Sequence, residues 1–391
     1  MTGRVEIIAG VRKYLELHRE EMLHFLKRLV ALETPSTSVD KQHRLLHFLK
    51  ERLESMGYLT LHVPGKVTGG YLYARPRLRN KALPVQLVVG HCDTVWPINT
   101  LKEMPLSDKN GKLKGPGVYD MKAGLTQLIF SVAAIKAMAL PLMVTPLVLI
   151  NSDEEIGSRE STYAIRRLAK IADRAFVLEP PLGLEGSLKT ARKGLGRFII
   201  TVKGKAAHAG LDPSKGINAI VELSHQVQKL YAMNDIKRGI TVNVGTIEGG
   251  ISPNVVAPES RAVIDVRVLT EADGKYISKK IRELKPLFKE VVLDIQGGMG
   301  RPPMERTTRN QKLWELAKRE GKGLGIELDQ ATAGGGSDAN TTSLFTATLD
   351  GLGTPGDGAH ASHEYILSNK LTERTALLTL LLAMEPLNSA P

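Results

Sequence analysis

Apolar residues recur at helical spacing through residues 10–57, first in YLELHREEMLHFLKRLVAL and then in HRLLHFLKERLESMG. This spacing predicts amphipathic helices near the start of the chain. The pattern then changes to short apolar runs that end in turns, at 84–90, 145–152 and 174–180, with a mostly apolar helix predicted over 123–139. Buried strands that alternate with helices predict a largely parallel sheet in an α/β domain.

A different pattern begins near Lys193. Strands and helices are predicted in the order β-α-β-β-α-β, in GRFIITVKG, INAIVELSHQVQKLYAM, GITVNVGTIEG, ESRAVIDVRVL, YISKKIRELKPLF and KEVVLDIQG. This is the order of a ferredoxin-like α+β unit, and GGMGRPPM at 297–304 is expected to be its exit linker. Helices are predicted again in KLWELAKREG and KLTERTALLTLLLAM. We therefore expect a discontinuous α/β domain, residues 1–192 and 305–391, with residues 193–304 inserted as a second domain.

The composition narrows the classes of function. A chain of 391 residues with 42% hydrophobic and 24% charged residues is typical of a globular protein of two domains. The net charge of +12 is compatible with nucleic acid as a partner, but the basic residues are scattered and aromatic residues make up 5%, so no nucleic-acid role is expected. The longest apolar stretches are broken by Lys or Pro before they reach membrane-spanning length, so no membrane span is expected. The N-terminal residues mix acidic and basic side chains without an uninterrupted apolar core, so no export signal is expected. A single cysteine excludes a disulfide framework, and a cytoplasmic protein is expected.

Histidine and acidic residues follow the predicted strands at the points where the strands end. Ligands bind beyond the carboxyl ends of parallel strands, so these side chains are expected to meet at one edge of the sheet. The residues are His91, Asp93, Asp120, Asp153, Glu154, Glu155 and Glu179, with His360 or His363 from the far end of the chain.

Each of these residues also has an ordinary structural explanation. A histidine after a strand is often a satisfied turn residue, an acidic turn such as 153–155 is often solvated, and Asp120 could cap the following helix. Their coincidence at one edge favours a metal centre, because gathered carboxylates without a cation would take up protons. Imidazole and carboxylate ligands without thiolate favour zinc, with cobalt or manganese as substitutes. Two such ions lower the pKa of a water and polarise a carbonyl, which is the chemistry of amide hydrolysis.

Taken in order, the motifs resemble the di-zinc metallopeptidase family that includes carboxypeptidase G (glutamate carboxypeptidase), acetylornithine deacetylase, succinyl-diaminopimelate desuccinylase and aminoacylase. The matching stretches are GHCDTV, GPGVYDMKAG, NSDEEIGS, VLEP, GKAAHAG, SPNVVAP, IDVR, GGGSDA and GAHASHEYI. The resemblance covers nearly the whole chain. It implies a zinc-peptidase-like catalytic domain with a mostly parallel central sheet, an inserted ferredoxin-like dimerisation domain, a homodimer and two Zn²⁺ per subunit.

The resemblance also implies a substrate class. The amide bond of a C-terminal or N-acylated amino acid with a free carboxylate would be cleaved, in a small peptide or an N-acyl amino acid. The LEPP and GGG patterns are most similar to carboxypeptidase G, and Glu179 in place of Asp favours the carboxypeptidase and desuccinylase branches. Glutamate carboxypeptidase activity is the first expectation, and an N-acyl-amino-acid deacylase is the alternative.

The implied metal ligands fall into two sets that share one residue. They are His91 and Glu179 for one ion, Glu155 and His360 for the other, and Asp120 as the bridge. His360 is preferred to His363 because only its spacing, four residues before Glu364, fits the family pattern.

Acidic residues beside the ligands receive different roles from the resemblance. Asp93 would fix the orientation of His91. Glu154 would be the general base that activates the water and later protonates the leaving nitrogen. Alternate side-chain directions are expected to turn Glu155 towards the metal and Glu154 towards the substrate, while Asp153 is expected to be a turn residue.

The remaining matches concern the substrate. His208 resembles the family histidine that polarises the scissile carbonyl, acting from the other subunit of the dimer. Asn254 and Arg267 match positions that face the substrate carboxylate, although a salt bridge on the strand surface is an equal explanation for Arg267. The segment Gly334, Gly335, Gly336, Ser337, Asp338 resembles a loop that approaches this carboxylate with backbone N–H groups, and a flexible turn is the ordinary explanation for it.

Overall fold

The computed structural model describes residues 2–387. Within this range the chain divides into two compact units. The first unit contains the residues up to Thr190, Arg306–Thr332 and the residues from Ser337, and the second contains Ala191–Glu305 and Ala333–Gly336.

The helices and strands alternate along most of the chain. The helices are α1 (Thr2–Leu17), α2 (Arg19–Ala31), α3 (Val39–Ser55), α4 (Thr100–Glu103), α5 (Ala123–Ala137), α6 (Thr162–Ala169), α7 (Ala219–Tyr231), α8 (Glu271–Arg282), α9 (Thr308–Gly323), α10 (Ala339–Thr342) and α11 (Leu371–Leu382). The strands are β1 (Tyr58–Val63), β2 (Tyr71–Pro76), β3 (Val85–His91), β4 (Ser107–Lys109), β5 (Lys112–Lys114), β6 (Thr145–Asn151), β7 (Ala172–Val177), β8 (Leu188–Arg192), β9 (Gly194–Lys203), β10 (Thr241–Gly249), β11 (Glu259–Val268), β12 (Val292–Arg301), β13 (Gln330–Ala333), β14 (Ala347–Leu349), β15 (Gly356–Asp357) and β16 (Tyr365–Leu367). Among residues 2–387, no helix is both long enough and apolar enough to span a membrane.

The first unit is built on a six-stranded sheet in the order β1-β2-β6-β3-β7-β14. Strands β6, β3, β7 and β14 are parallel, and every residue of β3 and β6 is buried. Strands β1 and β2 extend this sheet in antiparallel pairing. The apolar core is formed by these strands together with α2, α3, α5 and α11. The predicted α/β fold with a mostly parallel central sheet is confirmed, and β1 and β2 are an antiparallel edge that the sequence pattern did not predict.

The second unit has the predicted ferredoxin-like element order, β9-α7-β10-β11-α8-β12. Its sheet has the order β10-β11-β9-β12 and is antiparallel throughout. Burial alternates along β9 and β11, so that one face of the sheet supplies apolar side chains such as Phe198, Ile200 and Ile264 to a separate core.

Two boundaries in the second unit differ from the prediction. The segment at 297–304 is not wholly a linker, because β12 continues to Arg301. Gly297 has a φ of +92°, and a Cβ there would lie 2.1 Å from the Arg197 carbonyl oxygen, so this glycine permits close strand pairing instead of ending the strand. Helix α8 begins at Glu271, earlier than the apolar periodicity indicated, because the Thr270 side chain accepts a hydrogen bond from the Asp273 N–H and caps the helix.

Candidate metal centre

Two groups of ligand-type side chains lie at the carboxyl ends of the central strands, and they share Asp120. In each group, one ligand atom from each residue lies within 4.8 Å of the others. The first group is His91, Asp120 and Glu179, and the second is Asp120, Glu155 and His360. The structure therefore brings together the five side chains that the sequence motifs implied as ligands.

The two oxygens of Asp120 face different groups. Oδ1 lies 3.2 Å from His91 Nε2, and Oδ2 lies 3.6 Å from His360 Nε2. His91 Nε2 is also 3.4 Å from Glu179 Oε1, and His360 Nε2 is 3.1 Å from Glu155 Oε2. A carboxylate placed in this way can bridge two cations.

The backbone explains why these residues meet. His91 is the last residue of β3, and Glu179 lies two residues beyond β7, which is parallel to β3. Glu155 lies in a short 3₁₀ turn that follows β6. His360 lies in the connection between β15 and β16. These two strands share a sheet with β5, and β5 ends shortly before the turn at Val118–Lys122 that carries Asp120.

The electrostatics of the two groups fit cations. Burial raises the pKa of Glu155 despite its hydrogen bond to His360, and that same bond raises the pKa of His360 to about 9. Burial alone would lower the pKa of His91, but hydrogen bonds to Asp120 and to Asp93 raise it well above its ordinary value. Glu155 Oε1 is buried and has no hydrogen-bond partner among residues 2–387. A buried carboxylate oxygen without a donor, among imidazoles and further carboxylates, suits a divalent ion of the zinc type.

Asp93 links the histidine of one group to the glutamate of the other. It is fully buried, and its backbone carbonyl lies 3.0 Å from His91 Nδ1. Its carboxylate accepts hydrogen bonds from the backbone N–H groups of Glu154 and Glu155, each at 3.2 Å, and from Ser36 Oγ at 2.7 Å. Asp93 thus contacts His91 through its carbonyl and through a carboxylate oxygen 3.4 Å from Nδ1, and the same carboxylate holds the backbone of the two glutamates.

One local expectation from the sequence needs correction, and the structure decides two of the ordinary explanations weighed there. Glu154 and Glu155 lie in a 3₁₀ turn and not in an extended segment, so the turn and Asp93 set their directions, and strand alternation does not. Asp153 is not solvated: it is buried and accepts hydrogen bonds from Glu160 N–H, Ser161 N–H and Ser161 Oγ. The Asp120 carboxylate faces the two histidines, so it does not serve as a helix cap.

The second histidine of the C-terminal motif lies outside both groups. His363 Nε2 is 4.0 Å from an oxygen of Asp357, and its side chain is exposed. His360 has a φ of 61°, and it is the histidine that the structure brings to Asp120 and Glu155.

Glu364 contributes to the site in a way that the sequence analysis missed. It is almost fully buried, and its carboxylate accepts hydrogen bonds from the N–H groups of Gly117, Tyr119 and Asp120 and from Trp96 Nε1, at 2.8–3.1 Å. Burial raises the pKa of Glu364 to about 6 against these hydrogen bonds. The carboxylate fixes the backbone on which Asp120 stands. In the sequence it served only as a spacing marker for His360.

The second unit carries the residues predicted to contact the substrate, and the structure brings them together in pairs. His208 and Asn254 lie on adjacent segments, joined by the hydrogen bond from Ala209 N–H to the Asn254 carbonyl. His208 is exposed, and its Nδ1 accepts hydrogen bonds from Gly210 N–H and Leu211 N–H. Because Nδ1 is an acceptor, the proton of the neutral ring is on Nε2, which is then a donor.

Arg267 forms the second pair, with the glycine segment. Its Nε donates to Asp265 Oδ1 at 2.9 Å, and its guanidinium donates to the Gly334 carbonyl at 2.7 Å. The surface salt bridge considered as an alternative is therefore present, alongside a contact with the predicted binding loop. A Cβ added at Gly334 or at Gly335 would have no atom of residues 2–387 within 4 Å, apart from the neighbours in the chain. Packing therefore does not require glycine at either position.

Comparison with known proteins identifies relatives over most of the chain. Residues 190–285 match the M20 family model described as a peptidase dimerisation domain. Carboxypeptidase G2 of Pseudomonas sp. (strain RS-16) is 28% identical over 351 residues, which cover 87% of this chain and 83% of the relative. Acetylornithine deacetylase of Pasteurella multocida (strain Pm70) is 29% identical over 68% of this chain and 73% of the relative.

The fold is shared with solved M20 structures. The YXEP protein of Bacillus subtilis, a dinuclear metal-binding peptidase of that family, aligns with a TM-score of 0.71 at 16% identity, over 94% of this chain and 98% of that protein. The similarity to carboxypeptidases and deacetylases and the match of the inserted domain agree with the motifs at the strand ends. In sequence and in fold the chain is similar to the M20 metallopeptidases, and this similarity, together with the two ligand groups, indicates a metal-dependent peptidase or amidohydrolase.

Proposed function

We propose that this protein is a di-zinc hydrolase that releases an amino acid with a free α-carboxylate from a peptide or an N-acyl derivative. The observation that carries the proposal is Asp120, whose two oxygens face two separate histidine-carboxylate groups. The first expectation is glutamate carboxypeptidase activity, since carboxypeptidase G2 is similar over 87% of the chain.

The roles that we propose for the individual side chains follow from their positions. His91, Glu179, Glu155 and His360 would hold the ions with Asp120, and the bound ions would lower the pKa of a water and polarise the scissile carbonyl. Glu154, fixed through its N–H to Asp93, would take a proton from the attacking water and pass it to the leaving nitrogen.

Substrate binding is proposed for the second unit. His208 would donate from Nε2 to the oxyanion that develops on the carbonyl. Asn254, Arg267 and the N–H groups of Gly334, Gly335 and Gly336 would bind the free carboxylate. Residues 193–304 would also form the dimer interface of a homodimer, in keeping with the dimerisation-domain match.

A deacylase is the second candidate, and it is supported by the similarity to acetylornithine deacetylase. Both candidates share the metal centre and the free carboxylate, and they differ in the side chain and the acyl group that are accepted. Turnover of the zinc-loaded enzyme on N-acyl and peptidyl amino acids, including benzoyl-glutamate and acetylornithine, separates them. Each substrate is paired with its α-carboxamide, in which an uncharged amide replaces the α-carboxylate.

We expect hydrolysis of the free acids, fastest for C-terminal glutamate, and loss of turnover on the carboxamides. Faster hydrolysis of acetylornithine would replace the carboxypeptidase assignment by the deacylase. Equal rates on acids and carboxamides would contradict the proposed recognition of the carboxylate.

A complementation experiment tests the role of His208. Chains with Glu154→Gln and chains with His208→Ala are each expected to be nearly inactive, the second by about 10²–10³-fold because an oxyanion donor is lost. In a mixed dimer, the His208→Ala chain keeps its own Glu154 and receives His208 from its partner. One site in each mixed dimer should therefore regain activity.

The control is a pair of differently tagged chains purified through both tags, which proves that mixed dimers are present. Dimers of Glu154→Gln chains carrying both tags give the background. If verified mixed dimers remain at that background, His208 does not act across the dimer interface.

A further inference from the structure

The turn that carries Glu154 and Glu155 begins and ends beside one buried carboxylate. We define the glutamate turn as residues 152–157, between Asn151, which ends β6, and Ser158. Asn151 Nδ2 donates to Asp338 Oδ2 at 2.6 Å, and Ser158 Oγ donates to Asp338 Oδ1 at 2.5 Å. One side chain, about 180 residues later in the sequence, thus fixes both ends of this turn.

All three partners are buried, which makes these contacts strong. Asn151, Ser158 and Asp338 are each at most 2% exposed. A buried carboxylate is tolerated only where donors satisfy it, and a buried donor that loses its acceptor pays the full cost of desolvation. Asp338 and its two donors, Asn151 and Ser158, therefore stabilise each other in these positions.

Ser158 also has a backbone conformation that needs support. Its φ of 53° lies in the left-handed region, which a serine adopts at some cost unless the surroundings hold it there. Its side-chain bond to Asp338 and the bond from its N–H to the Asp153 carbonyl, at 2.7 Å, supply that support. Without them the chain after the turn has other conformations available.

We propose that Asp338 is a positioning residue for the glutamate turn, acting through Asn151 and Ser158 on Glu154 and Glu155. The inference rests on the proposed function for the roles of the two glutamates. It also divides the GGGSDA motif into parts with different tasks. Gly334–Gly336 belong to the second unit, whereas Asp338 belongs to the first, where its carboxylate accepts hydrogen bonds from both sides of the glutamate turn.

The test is Asp338→Asn, which replaces one acceptor oxygen by a donor facing Asn151 or Ser158. Zn²⁺ is titrated into the metal-free protein against a competing chelator, so that the two affinities are read without any substrate. We expect one of the two bound ions, the one that Glu155 and His360 would hold, to lose about 10–100-fold in affinity, because Glu155 is displaced. In the zinc-saturated enzyme, kcat should fall by about 10²-fold, with KM within about threefold.

Two further variants separate positioning from general loss of stability. Ser158→Ala removes one of the two contacts and should give a smaller loss of Zn²⁺ affinity in a protein that folds. Ser131→Ala is the matched control, since Ser131 Oγ is also buried and donates to a backbone carbonyl, that of Thr375, between α5 and α11. Ser158→Ala should lower Tm more than Ser131→Ala does, because Ser158 donates to a carboxylate and Ser131 to a neutral carbonyl. Only Ser158→Ala should change Zn²⁺ affinity.

The inference is overturned if Asp338→Asn and Ser158→Ala lower Tm while both Zn²⁺ affinities and kcat match those of Ser131→Ala. Failure of the proposed function has a different signature. The unaltered enzyme would then bind two Zn²⁺ without hydrolysing the substrate panel, and the comparison of affinities would still decide the role of Asp338.

Discussion

Replacement of Glu154 by glutamine is expected to lower kcat by about 10²–10⁴-fold while both metal ions stay bound. The amide keeps the size of the side chain, and the backbone N–H of residue 154 keeps its bond to Asp93. What the variant lacks is the group that, on the proposed function, accepts a proton from water and returns it to the leaving nitrogen. KM should change little, because Glu154 is not assigned to substrate binding.

The neighbouring glutamate provides the matched control. Glu155→Gln is expected to weaken one metal site, since Glu155 is the carboxylate beside His360 and carries the buried oxygen without a partner. Metal content and kcat are measured for both variants after identical loading with zinc. Loss of a metal from Glu154→Gln, with full activity in Glu155→Gln, would show that the two roles are reversed.

Chelation is expected to remove all measurable activity, and Zn²⁺ or Co²⁺ should restore it. The physical reason is the donor set, in which each group combines one imidazole with carboxylates. Mg²⁺ is the control ion, because it prefers oxygen ligands in octahedral geometry and should restore little. Activity that persists in protein shown to be metal-free would contradict a metal-dependent mechanism.

The residues that meet at the two ligand groups could be predicted from the sequence, because ligands bind at the carboxyl ends of parallel strands. His91 and Glu179 follow buried apolar runs, and parallel strands bring their carboxyl ends to one edge. The ferredoxin-like order of the second unit was visible because period-2 and helical patterns alternate clearly there. The family motifs then separated the roles of residues that are chemically alike.

Features that depend on contacts distant in sequence could not be predicted. Glu364 reaches the N–H of Gly117 across 247 residues, and Asp338 reaches Asn151 across 187, so no local pattern indicates either contact. The direction of Glu155 depends on a 3₁₀ turn whose N–H groups bind Asp93, and the strand periodicity assumed for that segment does not extend to it. The glycines of β12 suggested a linker, because composition alone does not distinguish a close strand pairing from a turn.

The most direct test of the central claim is a crystal structure of the zinc-loaded protein with anomalous scattering measured on both sides of the zinc absorption edge. Two zinc peaks about 3.5–4 Å apart are expected. One should lie among His91, Asp120 and Glu179, and the other among Asp120, Glu155 and His360. A single peak, or zinc bound away from Asp120, would contradict the dinuclear centre on which the proposed hydrolysis depends.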